Sequence, residues 1–306
     1  VQKIDCPKKA YFIQDFEPYF YPMGSNYVEA ENTYKYGFHG ITIGKWLSHK
    51  MREEFHLTTD YFSFCADLKT YKKLNNIEKE NAICFVFQPD KPRRCDNIAL
   101  KALQIVKTIK PDVKIYFYGS NPSIIKNLEV DQLGIIPIEK CNELYNKCLV
   151  GLCMSASNPS RIPFEMMASG LPVVELYREN NLYDFPNDGC LLADSTPEAI
   201  ANALLTILDD KKLQQKMSTA GIKYMKNYPL EKGFEEFVTH FNEYMKESKA
   251  KTSKIELSYT KDKVMATDEL INLSKTLPDV TFVGPKMAPS PLWKRALRKI
   301  KRTLLK

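Results

Sequence analysis

Residues 155–175 combine a polar loop, a short helix with one carboxylate, and helix-boundary signals between two apolar runs. Ser160 is typical of a helix N-cap, and Pro163 suits the first turn, where its missing N–H costs nothing. The loop therefore directs free N–H groups beyond the preceding strand, an arrangement that binds diphosphates. Glu165, about one turn into the helix, would reach a ribose, although an ordinary strand-to-helix turn with a solvated Glu165 explains the pattern equally well. The predicted donor-binding residues of this block are Ser157, Ser160, Arg161, Ile162, Pro163 and Glu165.

A basic loop follows the apolar run 82–87 and contains Arg93 and Arg94. Guanidinium groups bind phosphate oxygens in a bidentate manner, and such charges stabilise a departing diphosphate. The alternative is a solvated turn with surface arginines. The position after a strand favours the binding role, since ligands of parallel sheets lie beyond the carboxyl ends of the strands. We assign a catalytic role to both arginines and donor contacts to Gln88 and Gly119.

Near the start of the chain, a predicted strand leads into acids, aromatic residues and a glycine turn. This composition predicts one wall of a cleft, with Asp15 and Glu17 as catalytic candidates. Gln14, Tyr21 and Gly24 would lie on the acceptor side. An aromatic core patch with acidic loop residues is an equally good explanation of the same string.

Strand-like and helix-like segments alternate along the chain, which predicts an α/β protein with a doubly wound parallel sheet. Strands are predicted at 9–14, 39–43, 60–64, 82–87, 113–118, 149–154, 172–176 and 190–192, and helices at 25–36, 45–55, 95–110, 141–148, 163–169, 197–208, 211–227 and 234–247.

The polar stretch 70–81 breaks the apolar pattern and predicts a linker between two lobes. We expect a partial first lobe over residues 1–75 and a nucleotide-binding lobe over 76–247. Residues 248–289 would form a loosely ordered linker and a small helix–strand unit. Residues 290–306 would form a tail.

The composition restricts the class of protein. The 306 residues carry a net charge of +7, and seven cations without an acid lie in the tail after residue 293. The basic character is therefore local, which argues against a nucleic-acid-binding protein. The eight cysteines lack metal-site spacing and are expected to be buried free thiols of a reducing cytoplasm. The four histidines are scattered and are expected at the surface or at helix ends.

The tail places Leu292, Trp293, Leu297, Ile300 and Leu304 near helical spacing, with cations between them. A basic amphipathic helix of this kind is typical of an interfacial membrane anchor. A solvated terminus is the alternative. We expect a cytoplasmic protein held peripherally at the inner face of the membrane through residues 290–306.

The block 155–175 resembles the signature of family 4 glycosyltransferases of the GT-B fold, in which two acids stand eight positions apart. Glu165 matches the second acid, and Gly170 and Pro172 match the segment after it. Ser157 stands where the family has its first acid, which lies near the sugar. The resemblance implies that Glu165 binds ribose and that Arg93 and Arg94 neutralise the diphosphate.

The string 11–25, with residues 30–34 and 37–42, resembles rhamnosyltransferases of bacterial surface-glycan assembly of the WsaF type. The resemblance extends from about residue 9 to about 245. It implies dTDP-rhamnose as the donor and a glycan or lipid-linked acceptor. We expect no cofactor, and no metal if the arginines and the helix start carry the charge, since no D-x-D motif stands out. Only about 75 residues precede the linker, fewer than a whole first lobe needs. A non-catalytic nucleotide-sugar or glycan-binding module and a nucleotide-sugar epimerase are the alternatives.

Overall fold

The computed structural model describes residues 5–246 and 254–283. The predicted tail of residues 290–306 lies outside these ranges. The described chain forms two α/β lobes built on parallel sheets, which confirms the predicted fold class.

The first lobe has a three-stranded parallel sheet in the order β1-β2-β3, with two helices. Its core includes Phe16, Tyr34 and Leu47. The helix predicted through residue 36 ends earlier and continues as a 3-10 helix, Thr33–Tyr36, before Gly37 at φ +71°. The elements are β1 (Ala10–Ile13), α1 (Ser25–Asn32), β2 (His39–Ile43), α2 (Lys45–Phe55) and β3 (Thr59–Phe62).

The second lobe is built on a six-stranded parallel sheet in the order β10-β9-β8-β4-β5-β7. The strands β4 and β8 are apolar and fully buried, as expected where helices cover both faces of a sheet. The first half of this lobe consists of β4 (Ala82–Val86), α3 (Asp96–Ile109), β5 (Lys114–Tyr118), β6 (Ile124–Lys126) and β7 (Asp131–Gln132). The second half consists of α4 (Ile138–Lys147), β8 (Val150–Leu152), α5 (Ile162–Ala168), β9 (Val173–Leu176), α6 (Glu179–Leu182), β10 (Cys190–Ala193), α7 (Pro197–Asp209) and α8 (Lys211–Met225).

The order of the strands reverses at β4, which has β5 on one side and β8 on the other. At such a reversal the loops that follow the two strands diverge and leave a crevice, where doubly wound sheets bind ligands. The loops after β4 and β8 are the two segments that contain the predicted arginines and the predicted helix start.

Helix α9 (Leu230–Lys246) was assigned to the second lobe from the sequence, but it packs on the first. The Phe237 ring lies 5.8 Å from the rings of both Phe12 and Phe62. Glu236 accepts a hydrogen bond of 2.7 Å from the Ser63 N–H. The chain therefore returns to its first lobe after completing the second, and α9 joins the lobes in addition to the linker.

Residues 254–283 pack against the second lobe, although the sequence predicts a loosely ordered linker over part of this range. Tyr259 is 2% exposed, and the Val264 N–H donates to the Leu192 carbonyl. The predicted small helix–strand unit is confirmed as α10 (Asp268–Ser274) and β11 (Thr281–Val283), which pairs antiparallel with β6. The short elements β6, β7 and α6 were not predicted, because two to four residues carry too little periodicity.

The cysteine prediction is confirmed for most positions: the described cysteines are free, and all but Cys6 and Cys95 are buried. The histidine prediction is wrong for His39, which is buried and contacts Thr58 and Asp60 through its two ring nitrogens. His56 does end a helix, with φ +55° after α2. No helix within residues 5–246 and 254–283 is long and apolar enough to span a membrane.

Candidate active site

Arg94 connects the loop after β4 with the loop after β8. Its Nη1 donates to the Ser155 hydroxyl at 3.3 Å, and its Nη2 donates to the Ser160 hydroxyl at 3.2 Å. The Ala156 N–H donates to the Arg93 carbonyl at 3.0 Å, which ties the two backbones together. A guanidinium group therefore lies at the start of α5, as the sequence predicts.

Helix α5 begins at Ile162 with Arg161 at the N-cap, so the prediction of Ser160 as the N-cap is wrong by one residue. The Ser160 hydroxyl still accepts a hydrogen bond from the Ile162 N–H at 3.3 Å. Pro163 lies in the first turn as predicted. The shift leaves Ser160 shared between the helix start and Arg94.

Glu165 is buried, so the alternative of a solvated Glu165 is wrong. Burial raises the pKa of its carboxyl, and Arg161 and a hydrogen bond with Tyr71 oppose the rise. The Arg161 guanidinium lies 3.5 Å from the carboxylate. A buried carboxylate with two partners at a helix start is suited to accept hydrogen bonds from a diol such as ribose.

Glu175 is a buried acid of this site that the sequence reasoning did not assign. Its Oε1 accepts hydrogen bonds from the Ser155 and Leu176 N–H groups at 2.8 and 2.9 Å. Burial raises the pKa of Glu175 to about 7, and these hydrogen bonds and Arg94 oppose the rise. The carboxyl fixes the first residue of the loop that holds Arg94. One acid within the apolar strand 173–176 was the available signal.

Asp15 of the first lobe contacts the loop after β8 across the cleft. Its carboxylate accepts hydrogen bonds from the Ser157 hydroxyl at 3.1 Å and the Asn158 N–H at 2.9 Å. The Asn158 side chain donates to the Gln14 and Ile43 carbonyls at 3.0 Å each. Burial raises the pKa of Asp15, and these hydrogen bonds partly offset the rise. Three residues of the first lobe and two of the second therefore fix the lobes to each other.

Arg93 lies on the first-lobe side of the cleft, unlike its neighbour. Its Nε is 3.9 Å from the Asp15 carboxylate, and its guanidinium lies 4.2 Å from the centre of the Phe20 ring. Both arginines are partly buried. Arg93 lies beside a carboxylate, and Arg94 donates to two hydroxyl groups. The alternative of a solvated surface turn is therefore wrong for this segment.

Four of the seven buried side-chain nitrogen and oxygen atoms without a hydrogen-bond partner in the described part of the chain belong to Arg94 or to residues of the loops and elements next to it. Burial also raises the pKa of Asp96, which follows the loop, to about 7. Native proteins leave few such atoms unpaired, so a cluster of them indicates a site that binds a polar ligand. The atoms are Arg94 Nε, Asp96 Oδ1, Asn158 Oδ1 and Glu175 Oε2.

Gln88 and Gly119 follow the neighbouring strands β4 and β5, and the Gln88 amide donates to the Gly119 carbonyl at 3.4 Å. Gly119 has φ +98°, which favours glycine. Glu17, Tyr21 and Gly24 lie on the first-lobe wall. Within residues 5–246 and 254–283 they make no hydrogen bond or ion pair with the second lobe, so their predicted roles stay predictions. The same ranges contain no group of three or more His, Cys, Asp or Glu residues placed to hold a metal.

Solved structures share this architecture and define the class of fold. The chain superimposes on sucrose-phosphate synthase from Thermosynechococcus elongatus with a TM-score of 0.63, at 14% identity over 77% of this chain and 67% of that one. It matches a mutant of S. aureus TarM, in complex with fondaparinux, α-GlcNAc-glycerol and UDP, with a TM-score of 0.62. The identity is 15%, over 77% of this chain and 51% of TarM. The fold is that of GT-B glycosyltransferases.

The particular family is identified by the sequence. Residues 3–45 match the N-terminal domain of WsaF, and residues 81–205 match the WsaF C-terminal domain. The chain is therefore of the WsaF type, which confirms the resemblance. It is also 29% identical over 219 residues to the O-antigen biosynthesis protein RfbC of Myxococcus xanthus. That match spans 69% of this chain and 17% of RfbC.

Proposed function

We propose that this chain is a glycosyltransferase of surface-glycan assembly, which moves a sugar from a nucleoside diphosphate to a glycan acceptor. The observation that carries the proposal is the position of Arg94, which joins the loops after β4 and β8 where the strand order reverses. The relatives support it. RfbC is an O-antigen biosynthesis protein, and TarM and the Anabaena protein HepE were solved with UDP.

In this proposal the second lobe holds the donor. Arg93 and Arg94 bind the diphosphate with the N–H groups before α5, and Glu165 accepts hydrogen bonds from the ribose. The bond between the anomeric carbon and the diphosphate oxygen breaks, and its electron pair leaves with the diphosphate. Fixed positive charge lowers the energy of that departing anion without reorganising water.

Asp15 is the carboxylate that the structure places beside Ser157, the position near the sugar in the related signature. We propose that it interacts with the sugar or with the incoming hydroxyl. That hydroxyl oxygen forms the new bond to the anomeric carbon and loses its proton. The raised pKa of Asp15 brings its proton affinity closer to neutral pH, which suits a group that accepts this proton.

The donor is proposed to be dTDP-rhamnose, because of the WsaF resemblance, and the reaction is proposed to need no metal, since two guanidinium groups supply the charge. The acceptor is proposed to be a lipid-linked or cell-surface glycan. Residues 290–306 would then hold the protein at the inner face of the membrane.

Thermal unfolding with a panel of nucleotide sugars, followed by mass spectrometry of the products, tests this proposal. We expect dTDP-rhamnose to raise the Tm more than UDP-glucose or UDP-GlcNAc does. A ligand at 100 times its Kd stabilises by about 2.7 kcal/mol. Transfer of the sugar to a glycan acceptor is the expected product. No stabilisation by any nucleotide sugar in the wild-type protein would refute a donor site.

Ser157 supports a second candidate, a non-catalytic nucleotide-sugar-binding module, because the related signature has an acid there. Such a module would bind the donor in the thermal assay and give neither transfer nor hydrolysis. An epimerase would instead convert the nucleotide sugar without an acceptor. The product analysis therefore separates the three functions.

A further inference from the structure

A second cavity, of about 700 Å³, opens at the opposite edge of the six-stranded sheet from the cleft. The linker forms one side of it, and the C-terminus of α3 and the N-terminus of α8 form the other. Its floor lies at the residues that precede β8 and β9, that is, at the amino ends of the strands. It has the size of a small-molecule site, and no residue of the candidate active site lines it.

All charged residues that line this cavity are positive. Its lining contains Lys73, Lys79, Lys110 and Lys211 and no aspartate or glutamate. Two of the four ammonium groups are already engaged. Lys79 donates to the Cys148 carbonyl at 2.6 Å, and Lys110 pairs with Asp209 at 2.5 Å. The ammonium groups of Lys73 and Lys211 make no hydrogen bond or ion pair within the described residues.

The start of α8 adds an independent observation. Its first two residues are Lys211 and Lys212, and its first turn contains no acid. Positive charge at a helix N-terminus opposes the helix dipole, and acids are the usual choice there. Here the helix start and the lysines both attract an anion, and Asp210 is occupied in capping the Lys212 and Leu213 N–H groups.

The linker side of the cavity is held in place rather than loosely attached. The Lys72 N–H donates to the Asn142 side chain at 3.1 Å, and the Leu74 N–H donates to the Asn146 side chain at 2.8 Å. Asn142 and Asn146 are themselves buried in α4. Because the residues on either side of Lys73 are fixed, the backbone that carries the Lys73 side chain has a defined position at the cavity.

We propose that this cavity is a second binding site, distinct from the donor site, for a small compound that carries a phosphate or diphosphate group. The free ammonium groups of Lys73 and Lys211 and the start of α8 bind the anion. Apolar residues of the lining, among them Leu74, Ile77 and Leu149, pack against the remainder of the compound. The site does not depend on the proposed transferase activity.

Isothermal titration with inorganic pyrophosphate at 0.15 M NaCl tests the site in an Arg94→Gln protein, where the donor site is weakened. We expect one bound pyrophosphate, and at least tenfold weaker binding when Lys73→Gln and Lys211→Gln are added. The matched control adds Lys101→Gln and Lys126→Gln, which remove the same charge from the same lobe outside the cavity. The control should leave the affinity within twofold, and all proteins should keep the same Tm.

Two outcomes overturn the proposal. The first is the absence of pyrophosphate binding to the Arg94→Gln protein. The second is an equal loss of affinity in the two double-lysine variants, which indicates general attraction to a basic surface. The proposed function is tested separately with nucleotide sugars, so failure of either proposal leaves the other standing.

Discussion

The two walls of the cleft differ in how their residues are held. On the second-lobe wall, Ser155, Ser157 and Asn158 are buried and joined by hydrogen bonds to Arg94, Asp15 and Asn180. On the first-lobe wall, Tyr19, Tyr21 and Met23 are 43%, 44% and 79% exposed. A wall fixed before binding suits the invariant diphosphate and ribose of a donor. An exposed aromatic wall suits an acceptor that varies between glycans.

Asp15 and Asn158 lie where the walls meet. Asn158 donates to two carbonyls of the first lobe, and Asp15 accepts from two groups of the second. In these four hydrogen bonds, Asp15 is the only first-lobe residue that takes part through its side chain. The comparison therefore predicts graded effects, the largest at Glu175 and Arg94 of the second wall, intermediate effects at Asp15 and Glu165, and the smallest on the exposed aromatic residues.

The largest expected effect is on stability and comes from Glu175. Its folded pKa of about 7 exceeds the ordinary value of 4.5, so the fold favours the protonated form. This contribution to stability is fully present below pH 4.5 and is lost as the pH rises through 7. The loss is about 3 kcal/mol at most. Glu175→Gln should lessen the decrease in unfolding free energy between pH 5 and 8, measured by urea denaturation.

Asp96 and Asp184 also have raised pKa values, of about 7 and about 6, so the variant should retain part of the decrease. Glu231→Gln, on the exposed start of α9, is the control and should leave the pH profile unchanged. A Glu175→Gln profile identical to that of the wild type would show that the pKa of Glu175 is not raised in the folded protein.

Arg94→Gln should give the largest loss of donor binding. The variant removes the charge that we propose binds the diphosphate, and it leaves Ser155 and Ser160 without their shared partner. A charge-assisted hydrogen bond contributes roughly 1.5–3 kcal/mol, so we expect about 100-fold weaker binding of a nucleoside diphosphate by calorimetry. Lys101→Gln, which removes a surface cation paired with Asp279, is the control. A loss below threefold would place the diphosphate elsewhere.

Much of this wall could be predicted from the sequence because its signals are local. The signals are the proline of α5, the arginine pair and the buried strands 82–86 and 173–176. Each lies close in sequence to the loop or helix of the site that it positions. The contact between Asp15 and Asn158 joins residues 143 positions apart, and neither residue has a local pattern that indicates the other. The packing of α9 on the first lobe was missed for the same reason. An amphipathic pattern shows that one face of a helix is covered, but it does not identify the element that covers it.

Asp15→Asn should reduce turnover more than donor affinity. The amide keeps the size of the side chain but accepts fewer hydrogen bonds and cannot take up a proton at neutral pH. We expect kcat to fall about 100-fold, at the lower end of the contribution of general acid–base catalysis, with donor affinity within threefold. In the wild type, activity should rise with pH as Asp15 loses its proton, and this limb should disappear in the variant. Glu17→Gln is the matched comparison, and a larger loss there would move the catalytic role to Glu17.

Glu165→Gln should weaken donor binding about tenfold, because the loss of a charged acceptor for a ribose hydroxyl costs about 1.4 kcal/mol. Tyr71→Phe removes the hydroxyl that contacts Glu165 and leaves the carboxylate, so it should have a smaller effect. Calorimetry with a nucleoside diphosphate and with inorganic pyrophosphate separates the contributions. The loss of affinity in Glu165→Gln should appear with the nucleoside diphosphate and not with pyrophosphate. A Glu165→Ala protein with wild-type donor affinity would rule out the ribose role.

Tyr21→Ala should have the smallest effect, because the side chain is partly exposed and the main-chain N–H of Tyr21 is bonded to Pro18 within its own wall. We expect unchanged donor affinity and a two- to fivefold rise in the KM for the glycan acceptor, about the value of one aromatic contact at a partly exposed site. Tyr36→Ala, with an equally exposed ring outside the wall segment, is the matched control. If Tyr21→Ala weakened donor binding as much as Glu165→Gln, the division between a donor wall and an acceptor wall would be wrong. The exposed aromatic residues would then contact the nucleotide.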